Sequence, residues 1–567
     1  MSFSPTQKEY LDGFFAGTRL RGQSFASAPV TEGQVEVPKV KLAKEEKIKQ
    51  ELHPLDAFPE LLKKANLALP PEGGDVFRFK SNGMFWLDPV EQGYMCRLRI
   101  PGGILTAHQF RELGSIASDL ASGFLQVTTR NNLQIRVIQP EHTVDLIQRV
   151  VGLGLHTQGT GADNIRNLTM SPCAGLDPYE LIDVKPLIDD LQLVIRNDRE
   201  LYDLPRKFNI SIHGGGLIPI AEDTNDIGLR AFETNGNILF QILLGGVTGH
   251  EEFAEHGGAV CTPEQAVEVC GAMTKVFARN GNRGNRGKAR LVYLLKDWGY
   301  EKFVAKSEQL LGYELQRLDE ASIPTNPQPD LPEVPHPHLG AFPQKQDGLS
   351  YLGVCTPVGH IPHDEVSAIA DVAEEFGDGG IRMTIFQNPI LTGIPTPRIP
   401  EAELALKKAG LSTSVSKFRG GMVACTGNRY CKYSSADTKG HGVALADFID
   451  EHIELDRPIN VHVTGCPHSC AQHYIGDIGL LGCKVENPDG GDALEGFHVF
   501  VGGGFGREGK HLGRQIFKSV PAGKPLQKKI LRLLQGYLED REEGQSFREF
   551  SESRSGEDLG SLEMTNS

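Results

Sequence analysis

The chain carries one pattern of residues twice, about 250 positions apart. Pro101-Gly-Gly-Ile-Leu-Thr aligns with Pro357-Val-Gly-His-Ile-Pro at an offset of 256. Without a gap, that offset also pairs Thr128 with Thr384, Asn132 with Asn388, and Gly154-Leu155 with Gly410-Leu411. Met170-Ser-Pro-Cys173-Ala-Gly matches Met422-Val-Ala-Cys425-Thr-Gly at 252. Asn209…Gly214 matches Asn460…Gly465, and Asp226-Ile-Gly-Leu matches Asp477-Ile-Gly-Leu, both at 251. Phe240…Gly245-Gly246 matches Phe497…Gly502-Gly503 at 257. Matches that keep their order while the offset drifts by a few residues mark a duplication. Its period is too long for a solenoid. It predicts two similar units about a pseudo-twofold axis, with a site between them.

Within each copy the periodicity is mixed. Tyr94-Met-Cys-Arg-Leu-Arg-Ile and Phe124-Leu-Gln-Val-Thr-Thr read as strands joined by a helix over Thr106 to Leu120. Asn209-Ile-Ser-Ile-His and Asn460-Val-His-Val-Thr alternate as strands do. The expected class is α+β with antiparallel or mixed sheets. Between the copies, 322–348 holds seven prolines, a density that forbids a helix or a central strand, so it reads as a linker. The polar stretch 1–74 reads as a helical or extended arm, and 541–567 as a tail with one short helix.

The ten cysteines are sparse for 567 residues and suggest no disulfide framework. Four form two close pairs in the second copy, Cys425-x5-Cys431 and Cys466-x3-Cys470. Paired thiolates suit soft metals and iron–sulfur clusters. Structural zinc is the alternative, although its pairs are usually closer, as in C-x2–4-C. Cys96, Cys261, Cys270, Cys355 and Cys483 lack paired spacing and read as buried thiols. Cys173 is the repeat partner of Cys425, but Gly215 stands where Cys466 does, so the first copy lacks a cluster set.

These residues resemble the nitrite and sulfite reductase family over roughly 75–540, and Thr464-Gly-Cys-Pro-His-Ser-Cys470 is the most specific segment. The resemblance implies that each half comprises a ferredoxin-like subdomain (75–155 and 349–411) and a larger mixed α/β sirohaem-binding subdomain (156–321 and 412–540). It implies a [4Fe-4S] cluster on Cys425, Cys431, Cys466 and Cys470, with Cys470 shared as axial ligand of a sirohaem. It further implies that Arg97, Arg166 and Lys207 face a substrate oxyanion, and that Arg130 and Arg136 serve sirohaem carboxylates. The family motifs that carry these residues are Arg97-Leu-Arg99-Ile-Pro101, Thr128-Thr-Arg130-Asn-Asn-Leu-Gln134, Arg166-Asn167 and Leu204-Pro-Arg-Lys207-Phe-Asn209. A tetrapyrrole with eight carboxylates needs such a supply of cations, and arginine meets carboxylate bidentately.

By the same resemblance, Asn209 in place of a lysine favours nitrite over sulfite. One fewer cation suits a monoanion. No flavin or nicotinamide fingerprint is present, since Gly502-Gly-Gly-Phe-Gly506 is a repeat of the Gly245-Gly246 turn. Electrons are therefore expected from an external carrier such as ferredoxin. The run Arg279-Asn-Gly-Asn-Arg283-Gly-Asn-Arg286-Gly-Lys288-Ala-Arg290 is the densest basic segment. It reads equally as a cofactor or donor contact and as a solvated or anion-binding loop. The rival functions are a sulfite reductase, a corrinoid-pathway relative and a non-catalytic iron–sulfur or zinc protein.

A net charge of −15 argues against nucleic-acid binding. The first residues lack an apolar signal core, and no run of about 18 apolar residues suggests a membrane span. A cytoplasmic monomer is expected, since the duplication already supplies internal symmetry.

Overall fold

The computed structural model describes residues 41–561 apart from 89, 91, 325, 329, 507 and 508. Positions 1–40 of the expected arm and 562–567 of the expected tail lie outside the described residues.

Four five-stranded sheets are present among the described residues. The first runs Met84–Trp86, Tyr94–Arg97, Leu133–Ile138, Phe124–Val127, and is closed by His360–Pro362 from the second copy. Its counterpart runs Gly340–Pro343, Leu349–Gly353, Pro389–Pro395, Gly380–Met383, and is closed by Ile104–Thr106 from the first copy. The segments exchanged are the Pro101 and Pro357 segments that head the sequence repeat. His360 sits opposite Gln126, and Gly380 opposite Thr106, in antiparallel register.

The two ferredoxin-like units therefore share one core. Helix Ala107–Leu120 buries Phe110, Leu113, Ile116 and Ala117 at 3–4-residue spacing, and a Thr106/Gln109 capping box starts it. Helix His363–Phe376 packs against it, burying Val366, Ile369, Ala370 and Ala373. Both helices belong to a single apolar cluster.

Each exchanged strand leaves its own copy through a glycine that a side chain could not replace. Gly103 has φ +78°, and a Cβ there would lie 2.7 Å from Met383 O and 2.8 Å from Asn131 Cβ. Its repeat partner Gly359 has φ +67°, with Gln387 Cβ at 2.8 Å and Val127 O at 2.9 Å. The blocking atoms are backbone or Cβ atoms, which cannot rotate away. Gly103→Ala should cost about 2 kcal/mol or more, from left-handed backbone strain plus the clash. Chemical denaturation against wild type would measure it.

The second pair of sheets is mixed. One is built from Ile210–His213, Ile227–Thr234, Asn237–Leu244, Glu255–Cys261 and Gln316–Arg317. The other is built from Met422–Ala424, Val461–Thr464, Ile478–Val485, Leu494–Val501 and Arg514–Pro521. In each, the strand beginning at Ile210 or Val461 runs parallel to the next, and the remaining later strands are antiparallel. Separate apolar clusters support them. A fourth cluster joins the copies at the centre, with Cys173 and Ile218 meeting Phe386, Ala471 and Phe505.

Three peripheral segments are more ordered than their composition suggests. Pro343 of the linker lies in strand Gly340–Pro343, at the outer edge of its sheet, where a missing N–H breaks no ladder. The arm forms helices Lys44–Glu51 and Phe58–Asn66, and Ala57 and Leu61 enter the shared core. The tail holds two helices rather than one, Phe547–Glu552 and Gly556–Ser561. Ser546 and Glu549 cap the first reciprocally, and Phe547 and Phe550 pack edge-on to Tyr537.

Candidate functional site

Two adjacent parallel strands deliver the cysteine pairs to one edge of their sheet. Cys425 follows Met422–Ala424, and Cys466 lies two residues past Val461–Thr464. Parallel neighbours end at the same side, so both loops emerge together. The Cys425 N–H donates to Val463 O (3.0 Å), and the Gly465 N–H donates to Cys425 Sγ (3.2 Å). Thr438 Oγ1 lies 3.6 Å from the same sulfur and donates to Cys425 O (2.7 Å). Gly465 must be glycine, since a Cβ would fall 1.7 Å from Ser434 Oγ. Cys470 is tied to the first copy, its carbonyl accepting from Thr129 Oγ1 (3.0 Å).

Burial pushes the Cys466 thiol up to about 12, and Cys470, Cys425 and Cys431 add to that rise. Burial also raises Cys425 and Cys431, with Cys470 adding to each. The four thiols therefore share one electrostatic neighbourhood and need a multivalent cation to ionise together. A zinc site needs four donors about 2.0–2.3 Å from one point. Among the described residues no three His, Cys, Asp or Glu are disposed to hold a single ion.

Across from the thiols stand cations from four separate segments. Arg97 ends its strand with its guanidinium 4.7 Å from the Phe85 ring centre. It and Arg166 share the Thr160 carbonyl, at 3.4 and 2.7 Å. Arg166 also donates to Ala162 O (2.9 Å), and Arg130 to Asn225 Oδ1 (2.7 Å). Among the described residues no hydrogen bond or ion pair holds the Lys207 ammonium.

Burial lowers Arg97 and Arg130 to about 10 and Lys207 to about 7, and takes Arg166 well below its usual value. Mutual repulsion follows burial. Arg290 acts on Arg130 and Lys207, and Arg97 acts on Arg166. The Cys470 thiolate works the other way, raising Arg97, Arg130 and Lys207. Cations and cysteines thus line one cleft, and the cations outnumber the carboxylates that offset them, Asp226 and Asp163. Charges crowded in this way favour anionic occupants.

Asn209 is buried, and its N–H donates to Asp226 Oδ2 (2.8 Å). Asn460 repeats this with Asp477 (2.7 Å), so the backbone contact belongs to the duplicated scaffold. The copies differ at the side chain. Asn460 Nδ2 reaches Asp477 (3.2 Å), whereas Asn209 Oδ1 has no partner.

Arg136 is placed differently from the other cations. Its guanidinium donates to Gln126 Oε1 (2.6 Å), Gln134 Oε1 (2.6 Å) and Thr426 Oγ1 (2.9 Å), and lies 5.4 Å from the Tyr430 ring centre. It docks the Cys425–Cys431 loop onto the sheet of the other copy.

The basic run proves to be mostly paired. Arg279 meets Glu200 (2.6 Å), Arg283 meets Glu46 (2.6 Å), Arg286 meets Asp163 (2.7 Å), and Arg290 meets Asp226 (2.8 Å). These four arginines are tied within the fold, while Lys288 of the same run is exposed. Arg290, buried beside Arg130 and Lys207, is the member that borders the cleft. Asp226→Ala would leave it buried without its ion-pair partner, with only Gly246 O still accepting from it (3.5 Å), and should cost about 3–5 kcal/mol, measurable by denaturant unfolding.

Lys439 was not legible in the sequence, being a lone lysine at the start of a helix. Its ammonium donates to Val358 O, burial lowers it to about 7, and the Cys425 thiolate raises it. It sits behind the Cys425–Cys431 loop, close to Cys425.

Such a cleft defines an oxidoreductase that holds an iron–sulfur centre beside an anion. Residues 161–315 and 417–545 match the nitrite and sulphite reductase 4Fe-4S domain. Residues 88–151 and 342–409 match the nitrite/sulfite reductase ferredoxin-like half domain. A ferredoxin–nitrite reductase of Synechococcus elongatus is 35% identical over 494 residues, covering 85% of this chain and 94% of that protein. A protein named sulfite reductase [ferredoxin] 1 of Mycolicibacterium paratuberculosis is 32% identical, covering 81% of this chain and 82% of that one. The solved structure of the Mycobacterium tuberculosis NirA protein superposes with a TM-score of 0.83 at 28% identity, covering 92% of this chain and 98% of that chain. The chain belongs to the nitrite and sulfite reductase family. Its cofactors are sirohaem and a [4Fe-4S] cluster, and the thiol set and cation-rich cleft fit both.

Proposed function

We propose that this enzyme reduces nitrite to ammonium with electrons from ferredoxin. The observation that carries the reading is the crowding of Arg97, Arg130, Arg166 and Lys207 on the Cys470 side of the cleft, with too few carboxylates to balance them. Cys425, Cys431, Cys466 and Cys470 would hold the cluster, with Cys470 shared between it and the sirohaem iron. When bound, that pair supplies the electron relay and the six-electron redox chemistry, which no side chain can store.

The chain's own residues capture the anion, balance charge and supply protons. Arg97 and Arg166, joined through Thr160 O, present two guanidiniums to the oxyanion. Arg130 would meet carboxylates of the tetrapyrrole. Converting nitrite to ammonium and two waters consumes six electrons and eight protons. A lysine held near neutral acidity can release and regain protons at physiological pH. Lys207 is therefore the proton donor at the oxygens that leave as water. Asn209 brings an unpaired amide oxygen rather than a fifth cation to the same region, which favours a monoanion.

The sulfite reading has one specific support, the relative named a sulfite reductase at 32% identity. Steady-state turnover of holoenzyme with reduced ferredoxin, and with reduced viologen, on both anions separates the two. Nitrite should give the higher kcat/KM, and preference for sulfite would reverse the assignment. We place the enzyme in the cytoplasm as a monomer. Ten free cysteines suit a reducing compartment, and each copy already finds its pairing partner within the chain.

A further inference from the structure

Helix Lys44–Glu51 of the arm buries charge where a helix usually buries an apolar stripe. Glu46 and Lys49 are buried beside Ile48. The Lys49 side chain is only 3% exposed. Its ammonium donates to Leu204 O (2.8 Å) and pairs with Glu46 (2.6 Å) and Asp203 (2.9 Å), with Asp163 at 3.7 Å. Arg283 joins Glu46 to Asp203, and Arg286 joins Asp163 to Glu45 of the same helix.

Asp163 and Leu204 head the two segments that carry Arg166 and Lys207. Those segments run side by side. The Leu204 N–H donates to Asp163 O (3.1 Å), Phe208 N–H to Asn164 O (3.0 Å), and Arg166 N–H to Phe208 O (2.7 Å). Lys49 holds the start of both. A cavity of about 640 Å³, lined by Lys49, His53, Asp203, Arg279 and Arg283, opens beside it. The arm helix therefore reaches these segments through ions, not through apolar packing.

We propose that Lys49 is a positioning residue for the substrate anion. It fixes the relative placement of the Arg166 and Lys207 segments, and the arm is thereby part of the site's architecture. The inference rests on the nitrite reading of the cleft. Buried ion networks contribute little net stability and are better suited to fixing a register. Anchoring of the arm is already provided by Ala57 and Leu61 in the shared core.

The test uses full-length holoenzyme with Lys49→Met, Lys49→Arg and Asp203→Asn. Three quantities are read: cofactor absorbance, KM against kcat for nitrite, and amide hydrogen exchange over 163–168 and 204–209. Positioning errors of about 1 Å can cost up to ~100-fold, so Lys49→Met should raise KM by about tenfold. It should also speed exchange in both segments while absorbance stays that of wild type. Lys49→Arg should stay close to wild type, and Asp203→Asn should shift KM and exchange in the same direction by less. Unchanged KM and exchange in folded Lys49→Met would overturn the proposal. If that variant yields no folded protein, unchanged values in Asp203→Asn overturn it instead. Wild-type holoenzyme that fails to turn over nitrite would refute the nitrite reading, while the exchange measurement still decides whether Lys49 holds the two segments.

Discussion

Cys470→Ser should yield protein that has lost both cofactor absorbance and turnover, with iron and labile sulfide near background. A serine hydroxyl does not ionise at neutral pH, so it cannot replace a soft thiolate donor. Cys425, Cys431 and Cys466 are already committed by the proposed assignment, and Cys483, on the strand Ile478–Val485 that pairs with Val461–Thr464, has its thiol held by Ser519 and does not feel the charge of Cys470 as those three do. Cys470 should have the largest effect of the four, since by the proposed assignment one sulfur serves both groups. Cys483→Ala is the control and should keep full iron and activity. A Cys470→Ser protein that retained its iron and reduced nitrite normally would end the proposed ligand set. The same measurement separates iron from zinc, because metal analysis of wild-type holoenzyme must return iron.

Lys207→Met should lower kcat by about 10²- to 10⁴-fold, the range spanned by general acid–base groups, while leaving cofactor absorbance intact. Burial is the main cause of its lowered value near 7, with Arg290 and then Arg166 and Arg130 opposing the charge and Cys470 partly restoring it. The sign follows directly. Below that value the lysine is charged, binds the anion and can give a proton. As pH rises through it, the charge is lost, so kcat/KM for nitrite should fall. Anionic groups of the cofactor, when bound nearby, would stabilise the ammonium and move the midpoint upward. Lys207→Arg sharpens the test, because arginine keeps the charge at every accessible pH but does not release its proton. It should hold KM near wild type while kcat stays low. Unchanged turnover in Lys207→Met would remove Lys207 from the mechanism.

The electrostatics of this enzyme divide into two kinds of cation. Those of the basic run are matched by carboxylates, such as Arg290 by Asp226 and Arg286 by Asp163, and they hold segments in place. Those of the cleft are crowded and under-compensated, and their burial is tolerable only with anions at hand. The sequence shows both kinds as the same residue types. The run at 279–290 is the densest basic segment in the chain, yet the residues proposed to bear on the substrate are scattered among four less basic motifs.

What could be read from the chain alone is what short covalent spacing encodes. The paired cysteines and the cation motifs each lie within a few residues, and the duplication and the missing cysteine at Gly215 come from matching such short segments across about 250 positions, so they can be read without knowledge of the fold. Repeat alignment even marked the Pro101 and Pro357 segments, but not that they change places. That exchange depends on strand register between residues more than 200 positions apart, which no local pattern fixes. Arg136 meets Thr426 across 290 positions, and Arg283 meets Glu46 across 237. Whether a cation is paired or free, buried or open, is a property of distances that exist only after folding. The arm shows this most plainly: in sequence it reads only as a polar stretch, and its charges become a buried clamp once Asp163, Asp203 and Leu204 are brought to Lys49.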